Sequence, residues 1–167
     1  MYLPFDQMPG DARLWIYQAN RALSDPERAA VENDLHHLCD TWMAHGAPLH
    51  TSFRIEHNQF IVLSVDERQA GASGCSIDGT VRLLKSIQQR IGVDFFDRQR
   101  VAFAQDDSIR LHPMSELKTL FERGVLTAST ITFNNAITFK AEWEQAWRVP
   151  VRNSWLSRYL PKAAGVQ

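Results

Sequence analysis

Hydrophobic and polar positions along the chain change their period several times, and each change marks an element. Residues 14–19, LWIYQA, are a bulky apolar run between Pro9-Gly10 and polar neighbours, which predicts a first strand. Ser24-Asp25-Pro26-Glu27 then reads as a capping box: Ser24 can accept from the amide three residues on, Glu27 can reach back, and Pro26 suits a first turn. Val31, Leu35, Leu38, Cys39 and Trp42 follow at the spacing of one helical face, with Gly46 as the expected stop. Residues 53–56 alternate and residues 60–65 are nearly all apolar, with three turn residues between them. That pattern predicts a hairpin whose second strand is central and whose first lies nearer an edge. Ile77, Val81, Leu84, Ile87 and Ile91 mark a second amphipathic helix closed by Gly92.

Beyond Arg98 the signal becomes denser and shorter. Residues 101–104 and 109–111 form a second hairpin pattern around Asp106-Asp107-Ser108. Ser115 is placed to cap a short helix bearing Leu117, Leu120 and Phe121 and closed by Gly124. A strand is expected at 131–133, then a turn at Asn134-Asn135, a short helix around Trp143 and Trp147, and a tail containing Pro150. The resulting fold class is α+β: a β-α-β-β-α lobe over residues 1–97 and a small β-β-α-β lobe over 98–167, in an order that would let one sheet run through both. Residues 92–98 are the seam, and no repeat or low-complexity linker interrupts the chain.

Composition narrows the function classes. With 167 residues, 44% hydrophobic, the chain can bury a proper core. A net charge of −1 gives no global reason to bind nucleic acid or an anionic membrane. No apolar run approaches the ~20 residues of a membrane span, and the first residues carry Asp6 and Asp11 without a basic and apolar leader pattern. The expected location is the cytoplasm, where Cys39 and Cys75 would be thiols.

Candidate chemistry concentrates first in residues 70–80, AGASGCSIDGT, where eight of eleven residues are Gly, Ala, Ser or Cys. A phosphate-binding loop would need a lysine there, and the nearest, Lys85, lies a turn too far on. Gly71, Gly74 and Gly79 do not have dinucleotide-binding spacing, and 71–75 misses the last glycine of a hydrolase elbow, with only His112 following Ser73 as a base. A thiol at a helix start, Cys75, gains thiolate character from free amides, while Asp78 in the first turn opposes it. Two readings follow. In one, Ser73 or Ser76 caps a helix and the glycines let a strand pass closely into it. In the other, Ser73, Gly74, Cys75, Ser76 and Asp78 bind a small ligand, with Asp66 and a histidine nearby. His36, Cys39 and Asp40 have helical i, i+3, i+4 spacing, but Cys39 belongs to the apolar face and no second ligand pair follows, so neither a metal nor a cofactor is expected.

A second cluster lies at 147–162, WRVPVRNSWLSRYLPK, with four cations and no acid. Trp147, Trp155 and Tyr159 alternate with Arg152 and Arg158, a combination suited to a peptide or single-stranded partner. Trp143/Trp147 and Trp155/Tyr159 are also i, i+4 pairs, the spacing by which aromatics pack onto a core.

Two resemblances add to this reading. HGAPL (45–49), AGASGCSID (70–78), GVDFFDR (92–98), FNN (133–135) and SWLSRYL (154–160) resemble a bacterial family commonly labelled "ABC transporter ATPase". The label implies ATP hydrolysis, yet this sequence has no Walker A loop and no ABC signature, and its length is too short for a complete nucleotide-binding domain of that kind. Residues 101–147 are similar to bacterial Gly-Tyr-Phe peptide-binding domains through HPMSELKTLFERGVLTASTITF (112–133), although His112 stands where that family has glycine and Phe133 where it has tryptophan. That similarity implies a small β-α-β architecture more than a proline-rich ligand. The expected function is therefore a non-catalytic cytoplasmic binding or interaction module with a protein or peptide partner, homodimeric assembly being compatible with it and membrane and nucleic acid not expected. A small enzyme or ligand-binding protein built on residues 73–76 is the alternative, and an ATPase the last.

Overall fold

A computed structural model of the protein describes residues 1–68 and 74–162. Its contacts divide the chain into two units, Met1–Asp97 with Asn135–Trp143, and Arg98–Asn134 with Glu144–Gln167. The class is α+β.

The first unit contains β1 (Arg13–Gln18), α1 (Asp25–Thr41), β2 (Met43–Ala44), β3 (Ala47–Pro48), β4 (Thr51–Glu56), β5 (Phe60–Val65) and α2 (Gly74–Ile91). Its main sheet is antiparallel in the order β1-β5-β4, with Leu63 opposite both Trp15 and Phe53. All six residues of β5 are buried, which is what an unbroken apolar run needs and why it occupies the centre. Val31, Leu35 and Cys39 of α1 and Leu84 and Ile87 of α2 join Ile55, Ile61 and Leu63 in one core on one face of that sheet. Arg90 of α2 pairs with Asp34 of α1 and ties the two helices.

The capping box forms as its local geometry requires: Ser24 Oγ accepts from the Glu27 amide at 3.3 Å, and Glu27 accepts from the Ser24 amide at 2.9 Å. Arg21 adds a bidentate contact to Glu27 at 2.8 Å and donates to the Ile91 carbonyl at the end of α2, an acceptor that the helix cannot satisfy itself. The end of α1 corrects the expectation drawn from Gly46. The helix stops at Thr41, Trp42 is extended and buried, and β2 and β3 turn back through His45 (φ 52°) and Gly46 (φ 77°). Gly46 therefore serves a two-residue hairpin, not a helix end.

The second unit contains β6 (Arg100–Gln105), β7 (Ser108–Pro113), α3 (Leu117–Glu122), β8 (Ile131–Phe133) and β9 (Arg148–Pro150), with sheet order β7-β6-β8-β9. Asp106 and Asp107 both take positive φ in the two-residue turn between β6 and β7. Ser115 does not cap α3: it lies within a short 3-10 turn, Met114–Glu116, and the cap position falls to Glu116 without a side-chain bond. Strand β9 is additional to the β-β-α-β order read from sequence. Phe103, Leu117, Phe121, Leu126, Val151 and Leu156 form the core.

The sheets are separate among the described residues, so the continuous sheet does not form. The first sheet's edges are engaged by segments of its own unit. Residue Arg13 bridges Phe139, with Leu14 N–H donating to the Thr138 carbonyl at 2.8 Å, and Tyr2 bridges Thr51. No helix among the described residues is long and apolar enough to cross a membrane.

Candidate functional site

The C-terminal aromatic and basic cluster is built by a change of helical period. Residues Trp155–Tyr159 form a 3-10 helix, capped by Ser154, whose Oγ accepts from the Leu156 amide at 3.1 Å and donates to the Val151 carbonyl at 2.8 Å. With about three residues per turn, positions i and i+3 eclipse. Leu156 and Tyr159 consequently share the inner side and Trp155 and Arg158 the outer one.

Leu156 is fully buried, and Tyr159 stacks on the buried ring of Phe121 at 6.1 Å and 10°. On the outer side Trp155 remains 49% exposed. It meets the Tyr159 ring edge-on at 6.1 Å. The Arg158 guanidinium lies 5.1 Å from the Trp155 centroid and 5.3 Å from that of Tyr159, within cation–π range of both. Arg152 is exposed in the preceding turn, Val151–Asn153.

Of the residues expected at a partner surface, Trp155, Tyr159 and Arg158 come together and Arg152 lies one turn before them. Trp147 is a correction. It is 4% exposed and packs on Phe133 at 4.8 Å, with its carbonyl accepting from the Asn134 amide, so it presents nothing to a partner. Phe121 is the residue the sequence reading missed as the support of Tyr159; its placement depends on contacts more than thirty residues apart along the chain.

At the other expected site, Ser73 lies outside the described residues, as do the side chains of Cys75 and Ser76, whose backbone with that of Gly74 begins α2. Asp78 is exposed on that helix. Asp66, at the end of β5, is buried and accepts from the Arg68 amide, Nε and Nη2 at 3.1, 2.9 and 2.7 Å. These bonds hold its carboxyl below the usual range, which suits a fixed carboxylate and not a proton donor.

Other titratable groups are occupied structurally. Burial pushes His112 down, and its Nε2 lies 2.7 Å from Gln105 Oε1. His36 faces Asp40 at 3.4 Å, whereas Cys39 points into the core, so the helical triplet does not converge. Among the described residues no group of three or more His, Cys, Asp or Glu is arranged to hold a metal.

Burial pushes the Cys39 thiol up to about 11. Alkylation requires thiolate, so iodoacetamide at pH 8 is expected to modify Cys39 roughly a hundredfold more slowly in the native protein than after unfolding. The same shift favours the neutral thiol in the folded state. Its stabilising effect is complete below about pH 8.5, the ordinary thiol value, and is lost as pH rises towards 11. Site-resolved mass spectrometry checks the rates, and rapid native labelling at Cys75 would support the enzyme reading.

Comparison with known proteins gives no matching family model, no similar curated protein and no similar solved structure.

Proposed function

We propose that the protein is a non-catalytic binding module of the cytoplasm, and that Trp155, Tyr159 and Arg158 receive a peptide segment from a partner protein. The observation that carries this reading is a half-exposed Trp155 held beside Tyr159, which is itself fixed by Phe121. A rigid aromatic surface offers contact area at small entropic cost, and Trp, Tyr and Arg are the residue types that concentrate binding energy at interfaces. Arg152 and Arg158, with exposed Lys162 nearby in sequence, favour an acidic segment carrying a planar or cyclic side chain.

Titration with the capped peptide Asp-Pro-Pro-Phe-Asp by calorimetry tests the proposal. Trp155→Ala should reduce affinity by at least about tenfold, as expected for truncating a central aromatic, while leaving circular dichroism unchanged. Unchanged affinity refutes the reading. Tighter binding of an oligothymidylate than of the peptide would replace it with single-strand nucleic-acid binding.

A further inference from the structure

The edge of β4 offers a second, independent place for a partner. In an antiparallel pair, alternate residues turn their N–H and C=O groups away from the neighbouring strand. The Asp66 amide donates to the His50 carbonyl, so even-numbered residues of this strand face β5 and odd-numbered ones face outward.

The protein's own first residues already use that outward side. Thr51 N–H donates to the Met1 carbonyl at 3.0 Å, and Leu3 N–H donates to the Thr51 carbonyl at 2.8 Å, a parallel bridge centred on Tyr2. Pairing would continue through the Leu3 carbonyl and the Phe5 amide, but the chain leaves after Pro4 into the 3-10 turn Phe5–Gln7. Among the described residues none hydrogen-bonds to the outward backbone groups of Phe53 and Ile55. The edge therefore continues for two outward positions after its internal partner has departed.

Those positions open into a groove of about 590 Å³ between β4 and α1. Four consecutive residues, 53–56, line it, as happens along a strand's edge and not over one face. At one end Tyr2, His36 and Phe53 form a ring cluster, with centroids 4.4, 5.7 and 6.4 Å apart. At the other, Arg28 pairs with Glu32 and Arg54 with Glu56, each at 2.8 Å. The walls thus carry balanced, internally compensated charge.

We propose that this groove takes an extended, uncharged peptide segment of a partner protein by strand addition. Its backbone would pair with Phe53 and Ile55, and an apolar side chain would rest against Tyr2, His36 and Phe53. Strand addition draws affinity from main-chain hydrogen bonds and specificity from pockets for alternate side chains, and this groove supplies both. A second copy of the chain is the poorer occupant, because two outward residues cannot by themselves supply the ~1,000 Å² that a stable protein interface buries.

Nuclear magnetic resonance on the ¹⁵N-labelled protein tests the proposal with the capped peptide Thr-Val-Phe-Val-Thr. A control carries the same side chains with N-methylated valines, which cannot donate. Saturating peptide should slow amide exchange at Phe53 and Ile55 by about tenfold or more and shift resonances along residues 53–56 and at His36. The N-methylated control should bind at least about tenfold more weakly, and Ala29→Trp, which fills the groove from the solvent side of α1, should lose binding to a similar extent. Three results overturn the proposal: no change at millimolar peptide, equal binding of the control, or shifts at Phe53 and Ile55 that follow protein concentration alone and identify a second copy as the occupant.

Discussion

Leu63→Ala is expected to destabilise the first unit by about 2–5 kcal/mol, a large share of the stability of an ordinary domain. Leu63 is fully buried in the central strand and belongs to the core formed with α1 and α2. Leu63 is paired on both sides, with Trp15 and Phe53 fixed opposite it by those ladders, so these neighbours cannot readily collapse into the space left behind. The upper part of the range therefore applies, since the loss grows with the volume that stays empty. Urea unfolding followed by circular dichroism should show a lower midpoint with an unchanged slope. A loss below about 1 kcal/mol would mean that β5 is not the packed centre described above.

Phe121→Ala should lower stability by about 3–5 kcal/mol and should also abolish the aromatic surface of the second unit. Phe121 is 2% exposed and is the ring on which Tyr159 stacks; Tyr159 in turn meets Trp155 and Arg158. Removing it withdraws support from a surface that it does not itself present. Conservative Phe121→Leu, which retains most of the apolar volume but not the flat face, separates the two consequences. It should recover most of the stability while leaving peptide affinity reduced. Full recovery of both by leucine would show that Tyr159 needs bulk beneath it and not a stacked ring.

Legibility in the sequence followed the range of the interactions involved. The capping box at Ser24 and Glu27 depends on atoms three residues apart, and the central position of β5 on the composition of the strand itself, so both could be read directly. The end of α1 could not, because Gly46 carries the same signal whether it closes a helix or turns a two-residue hairpin, and strands as short as β2 and β3 have no period. At the C-terminus the chain adopts 3-10 geometry, which eclipses Trp155 with Arg158 and turns Tyr159 inward with Leu156, a division that a 3.6-residue reading does not make. Trp147 and Trp155 look equivalent in sequence, each in an i, i+4 aromatic pair next to basic residues. Only packing against Phe133 distinguishes the buried one. The unpaired edge at Phe53 and Ile55 was equally hidden, since it depends on where residues 1–3 join and leave a strand fifty positions away.

The fully covered strand β5 has a cost when the molecule opens. FIVLSV is six residues of high strand propensity with no charge, proline or glycine, the composition from which self-complementary fibrillar assemblies nucleate. Its hydrogen-bonding groups are satisfied by β1 and β4, and any event that frees either neighbour presents an adhesive ribbon to other molecules in the same condition. Concentrated solutions of weakened variants would then be limited by precipitation before they are limited by reversible unfolding.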